Sequence, residues 1–308
     1  MFPLLSAEDA SSYVSFHVDW DPTCDLSIQM PAITAFRDTI LDFRTRYGRL
    51  FPWQQTRDPW AILLSEVMLQ QTTTSRVEEK YRLFLEKWPT PRDLSRSTLD
   101  ELLAAWSGLG YNRRALALYR TACATEQWNW TLPSDKETLL SLPGIGPSTA
   151  AAIRCFSYGI ADVYLETNVR RVLLHCFFPS EEGVKDNRLI PILQEMVSHI
   201  DDIRQWYYAL MDYGVLLSRL VPNPNRRSAS YTRQAAFKGS DRELRGRIIF
   251  LATHQGPQSL DALAAVLEEF EMERIIRAVD ALQKEGFLEK RDGLSAAEST
   301  PVYGLRRG

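Results

Sequence analysis

Cysteine is scarce in this chain: 308 residues carry four, Cys24, Cys123, Cys155 and Cys176. They are scattered and form no Cys-x-x-Cys pair, which excludes a disulfide framework and a compact thiolate metal site. No metal is expected. Long apolar runs are also missing; Trp60 to Leu64 is far shorter than the ~20 residues a membrane-spanning helix needs. Residues 1–30 contain no Lys or Arg but five acids, Glu8, Asp9, Asp19, Asp21 and Asp25, so a basic secretory leader is absent and a cytoplasmic protein is expected. Net positive charge is lacking as well. The formal value is −3, although Arg219 to Arg247 concentrates the basic residues Arg219, Arg226, Arg227, Arg233, Lys238, Arg242, Arg245 and Arg247. That strip suits either a solvated linker or a phosphate-binding surface.

Alternating strand patterns are almost absent before the C-terminus, and helical periodicity takes their place. Amphipathic segments are predicted over 32–47, 60–71, 74–87, 99–106, 113–126, 148–158, 168–177, 186–200 and 204–220. The main domain is therefore expected to be α-helical, built of short helices with short connections. Val221-Pro-Asn-Pro-Asn-Arg-Arg-Ser228 breaks the last of these helices. Helices are again expected over 241–254 and 259–268. Met272, Ile275, Ile276, Val279 and Leu282 mark the buried face of a third. Phe287 to Arg291 and Val302 to Leu305 then suit a hairpin. The organisation read from this is an N-terminal extension 1–30, a helical domain 31–221, a basic linker 222–240 and a winged-helix-like domain 241–308. The third helix carries Glu271, Glu273, Asp280 and Glu285 among its bases, which favours packing or protein contact over major-groove reading.

Leu142-Pro-Gly-Ile-Gly-Pro-Ser-Thr-Ala-Ala-Ala-Ile153 is the most informative stretch. Gly144 and Gly146 permit positive φ and close approach, and Pro147 suits a first helical turn, where its missing N–H costs nothing. The free amides of Ser148 and Thr149 would then face outward, which suits a phosphate. A glycine-capped helix followed by another helix gives the same letters, so the neighbouring motifs decide between the two.

Glu66 is the only charge in the apolar helical run from Trp60 to Gln70, with Ser65 and Gln70 expected on the same polar edge. In a partly dry pocket its pKa would rise toward that of a neutral-pH proton donor; on a wet edge it would be an ordinary surface acid. Glu166 stands where an apolar pair ends and an Asn168-led helix begins. It can cap that helix, or serve as the second carboxylate that glycosidic-bond cleavage requires.

Pro52-Trp53, Ser65 to Thr72, Trp106 to Tyr111, Leu142 to Ile153 and Asn168 to Leu173 together resemble the helix-hairpin-helix DNA glycosylase superfamily, and within it the MutY-type adenine glycosylases. The resemblance spans roughly Tyr47 to Leu220. It implies a two-lobed helical fold on double-stranded DNA, with a mispaired or damaged base flipped between the lobes. A monomer without membrane contact is expected. By the same resemblance Glu66 falls on the general acid, Glu166 on the second carboxylate and Asn168 on a polar group beside the leaving sugar. Tyr111 falls on the wedge, and Gln70, Gln71 and Thr72 on the loop filling the gap. Gly144, Gly146, Ser148 and Thr149 fall on the backbone-binding hairpin. Ser148 occupies the position where bifunctional relatives carry a Schiff-base lysine, which implies a monofunctional enzyme using water.

Three departures accompany the resemblance. Glu166 replaces the family's Asp. The cysteines of the family's iron-sulfur cluster align with Ser218, Asn225, Ser228 and Gln234, so no cofactor is expected. A winged-helix-like domain stands where the family has a β-rich one. Excision of adenine opposite guanine or 8-oxoguanine is the leading expectation; the alternatives are a glycosylase for another base and a non-catalytic lesion-binding protein.

Overall fold

The computed structural model describes residues 5–21, 29–233, 236–291 and 301–306. In chain order the helices are α1 (Ala7–Ser15), α2 (Met30–Tyr47), α3 (Pro59–Leu69), α4 (Thr74–Lys87), α5 (Pro91–Ser95), α6 (Leu99–Trp106), α7 (Arg113–Ala124), α8 (Lys136–Ser141), α9 (Pro147–Ile153), α10 (Thr167–Phe177), α11 (Asp186–Val197) and α12 (Ile203–Leu220). A π-helical turn, Arg154–Tyr158, extends α9 and ends at Gly159 in the left-handed region. The C-terminal residues form α13 (Asp241–Gln255), β1 (Gln258–Ser259), α14 (Leu260–Val266), α15 (Met272–Glu285), β2 (Leu288–Arg291) and β3 (Val302–Leu305). Three helices and a wing are thus present, and the wing gains a strand: β3 lies between β1 and β2, antiparallel to both.

Local chemistry sets several helix boundaries. Thr98 accepts the Glu101 amide while Glu101 returns a carboxylate to the Thr98 amide, a reciprocal cap that starts α6 at Leu99. Ser240 and Ser259 cap α13 and α14 one-sidedly, each accepting a single helix amide. Residues 1–30, left without a predicted element, contain α1, whose Tyr13 donates to Asp42 at 2.5 Å and packs edge-on against Phe43 and Tyr213.

Contacts divide the chain into two units. The first comprises Met1–Leu63, Pro133–Ser141 and Ile145–Thr232; the second comprises Leu64–Leu132, Leu142–Gly144 and Arg233–Gly308. The core of the first unit is aromatic, with Phe36, Phe43, Trp206, Tyr207 and Tyr213 all fully buried. Its buried Asp212 receives Arg44 and also two bonds from Arg49, from Nε at 2.7 Å and from the amide at 2.9 Å. In the second unit, Leu103 of α6 and Leu116 of α7 share one apolar cluster with Leu244, Ile248, Leu282 and Phe287. The C-terminal domain is therefore continuous with the core of the α6–α7 region, and Glu285 fixes the seam by accepting from both Arg113 and Arg245.

Candidate active site

The first unit assembles Ser148, Glu166 and Asn168. Glu166 is the N-cap of α10: Oε1 accepts the amides of Asn168 at 2.7 Å and Val169 at 2.8 Å, and Oε2 accepts Asn168 Nδ2 at 3.2 Å. The cap reading of this residue is therefore met, and the cap fixes the carboxylate. Asn168 Oδ1 in turn accepts Arg171, which also donates to the Gly214 carbonyl at 2.9 Å. Gly214 is required there, because a Cβ would lie 2.6 Å from both Cβ and the carbonyl oxygen of Asn168. Burial pushes the Glu166 carboxyl above its ordinary value, opposed by the two amides and by the charges of Arg171 and Arg170. Ser148 is exposed, and its hydroxyl donates to the carbonyl of Leu165, the residue before Glu166, at 3.3 Å.

The hairpin places its two glycines differently. Gly144 has φ +75°, and a Cβ there would meet Ala117 Cβ at 2.6 Å, so both the turn and the packing demand glycine. Gly146 does not adopt the expected positive φ: at φ −92°, ψ 179° it is an extended N-cap of α9. Its missing side chain instead leaves open space in front of the first helical turn. Pro147 takes the first position of that turn. Thr149 is buried, which leaves its side chain to packing, while Ser148 remains at the surface.

In the second unit, Glu66 is the one half-buried residue between Trp60 and Met68 on α3, where its neighbours are buried. Ser65 does not share its edge: it is 1% exposed and faces inward. Gln70 falls outside the helix, which ends at Leu69, and is exposed.

Gln71 and Tyr111 both take left-handed backbone, φ +54° and +50°, a costly conformation for side chains of this size. Arg114 holds these two loops together. Its NH1 donates to the carbonyls of Val67, Met68 and Gln70, its NH2 to Leu109 and Gly110, and its plane lies over Trp106 and Tyr111. Burial lowers its pKa to about 10, so it remains a cation at neutral pH. Thr72 joins this network through Arg114 at 3.3 Å. Sequence reasoning passed over Arg114, whose signal was a basic residue in helical line with the buried Leu118 and Thr121.

The residues aligned with an iron-sulfur cluster do not fit one. The Ser218 hydroxyl donates to Val215 at 2.7 Å, Asn225 Nδ2 to Thr167 at 3.0 Å, and the Ser228 hydroxyl pairs with Ser230. Hydroxyl and amide groups cannot replace thiolates around iron, and these are engaged in the protein's own bonds. Gln234 lies outside the described residues. Asn225 and Arg227, which donates to Leu174 at 2.9 Å, tie this segment to α10. Among the described residues no group of His, Cys, Asp or Glu is placed to hold a metal. Cys155 and Cys176 are buried in the core, with burial pushing the Cys155 thiol up to about 12.

Residues 64–191 match the family model of HhH-GPD superfamily base excision DNA repair proteins. An adenine DNA glycosylase of Mycolicibacterium smegmatis is 30% identical over 268 residues, covering 82% of this chain and 92% of its own. The chain belongs to the HhH-GPD superfamily. A second adenine DNA glycosylase, from Buchnera aphidicola, is 36% identical over 191 residues, and there the match covers 61% of this chain and about half, 54%, of the relative. A thermostable thymine-DNA glycosylase structure aligns with TM-score 0.53 and 26% identity, covering 59% of this chain and 85% of its own. As an HhH-GPD protein, the chain carries the superfamily's helical fold with its own C-terminal domain appended.

Proposed function

We propose that this chain is a monofunctional adenine glycosylase, hydrolysing the N-glycosidic bond of adenine paired with guanine or 8-oxoguanine in duplex DNA. The observation that carries the reading is the Glu166 carboxylate, fixed at a helix N-terminus by two amides and Asn168, beside a Ser148 that offers no amine. In this reading Glu66 protonates a ring nitrogen of the extruded adenine, the C1′–N9 bond breaks, and both bonding electrons leave with the base. The sugar becomes cationic at C1′, and the anionic Glu166 stabilises that charge. Water then adds to C1′ and gives a proton to the Glu66 carboxylate, restoring the acid. Lysine at position 148 would divert this sequence toward a covalent imine; serine leaves water as the nucleophile. The reaction needs no iron-sulfur cluster, and the reading assigns none. The names borne by the relatives support adenine as the substrate.

Duplexes carrying single A:G, A:8-oxoguanine, T:G, uracil and alkylated-base sites, treated with alkali after incubation, test this. Cleavage at adenine is expected, and Glu66→Gln should abolish it. Cleavage confined to T:G would move the protein to the pyrimidine enzymes, as the likeness to the thymine-DNA glycosylase structure allows. No alkali-labile site in any duplex would remove the enzymatic reading and leave a lesion-binding protein.

A further inference from the structure

Within the second unit, the loops carrying Gln71, Thr72 and Tyr111 face α13 of the C-terminal domain across a cavity of about 610 Å³, and another of about 490 Å³ shares its lining at Gln71, Tyr111, Phe237, Arg242 and Gly246. Four features of this space point to a ligand. Arg242 lies between two rings, 4.9 Å from the Tyr111 centroid and 5.2 Å from that of Phe237, and it also hydrogen-bonds the Tyr111 hydroxyl. Phe237 and Phe250 are 56% and 50% exposed, unusual for large aromatic side chains, and Phe250 stacks on His254 at 4.1 Å. The described lining of the larger cavity includes Arg76, Arg242 and Arg247, the last paired with Glu269, and Arg242 also lines the smaller; neither lining includes an Asp or Glu, in a chain whose net charge is −3. Gly246 sits in the interior of α13, where glycine weakens a helix, and a Cβ there would meet only open space.

We infer that this cavity holds one unpaired base of the strand opposite the target nucleotide, and that the C-terminal domain is therefore a reading element. The inference rests on the proposed function, because that reading brings Gln71, Thr72 and Tyr111 to the gap left by the extruded nucleotide. Exposed aromatic faces beside arginines are the chemistry that takes up a base and its phosphates, since every base offers a π-face and the backbone is anionic. The volume matches sites that enclose a ligand of nucleotide size. Gly246 supplies the room: any side chain there would project into the space a base would fill. The acids of α15 do not argue against this role, because it is α13 that faces the cavity. Of those acids, Glu285 is spent on Arg113 and Arg245.

The experiment uses the full chain and two duplexes with a stable abasic-site analogue at the target position, one with guanine opposite and one with a second abasic analogue opposite. Wild type should bind the guanine duplex about tenfold more tightly, the scale of one base–aromatic stack. Gly246→Phe puts a ring into the cavity from a position whose Cβ meets nothing within 4 Å, and Phe250→Ala removes a stacking face. Both should bind the two duplexes equally, at the weaker affinity. If Gly246→Phe keeps the tenfold preference, the cavity holds no base and the inference fails while the glycosylase reading stands. Loss of both duplexes in both variants would overturn it too, since the face would then hold backbone alone. Wild type that fails to prefer either abasic duplex over an intact one would instead overturn the glycosylase reading beneath it.

Discussion

The Asn168 side-chain amide donates to Glu166 Oε2 at 3.2 Å, on the residue whose other oxygen already accepts two helix amides. One carboxylate is thus saturated by three donors and can rotate little. Glu166→Gln keeps an oxygen for the cap, so stability should fall by only about 0.5–1 kcal/mol in urea denaturation. Excision should fall at least ~100-fold, because a neutral amide cannot stabilise a cationic sugar. Equal losses in wild-type-like proportion, or an active Gln variant, would reduce Glu166 to a cap.

The same carboxyl gives a pH signature. Burial raises its folded-state pKa above the ordinary 4.5, so between the two values the folded chain holds a proton that the unfolded chain has released. Charging Glu166 therefore costs the fold. This cost is absent below 4.5 and grows as pH rises through the folded value, then stays constant. Wild type should lose stability relative to Glu166→Gln over that window, as thermal melts at stepped pH would show. Single-turnover excision should run the other way, falling as acid protonates Glu166, with a midpoint above 4.5. A midpoint at or below 4.5 would contradict the burial described here.

How much of this could be read beforehand varies with the kind of signal. The helices over 74–87 and 99–106 were expected with the bounds they have, since each stretch of apolar spacing starts just after a threonine, Thr73 or Thr98, of which Thr98 makes a side-chain cap. α5 and α8, at five and six residues, are too short for periodicity to register. β1, at two residues, is a strand only by virtue of β3. Glu166 was legible as a helix cap, which the Asn168 and Val169 amides bear out, and as a candidate carboxylate, since one sequence suits both roles. Arg114 was missed for a different reason. Its partners are backbone carbonyls at Val67, Met68 and Gln70, which leave no trace in residue types.

Arg114→Met retains the aliphatic bulk but strands those carbonyls. A loss of about 3 kcal/mol is expected from removing a half-buried, multiply bonded cation. Because Arg114 bonds the carbonyls of Gln70 and Gly110, just before the left-handed Gln71 and Tyr111, duplex affinity should fall with stability. Arg114→Lys reaches too few carbonyls to rescue either. Denaturation paired with duplex titration checks this, and a variant as stable as wild type would contradict it.

Gly214→Ala tests the approach of α12 to α10. A methyl 2.6 Å from Asn168 Cβ and carbonyl forces the helices apart, at about 1–3 kcal/mol. Since Asn168 holds Glu166, kcat should drop while KM changes little. Unchanged stability would show that α10 moves freely, contrary to the packing.

Ser148→Lys places an amine at an exposed position beside the Leu165 carbonyl. Incubation with mispaired duplex and borohydride should then trap a covalent protein–DNA species that wild type does not form. Absence of the species with excision intact would mean that position 148 lies out of reach of C1′.

The shared cluster of Leu103 and Leu116 with Leu244, Ile248 and Phe287 has a practical corollary for anyone dissecting this chain. The Pro-Asn stretch near 222 invites truncation, as if the last residues were a tail that could be removed. Cutting there would bare a contiguous apolar face on the remaining α6–α7 region and leave Arg113 without its carboxylate. Such a fragment would be expected to aggregate, so inactivity in it would report lost solubility rather than lost recognition. Swapping this C-terminal segment for another would therefore call for redesigning the α6–α7 surface that receives it.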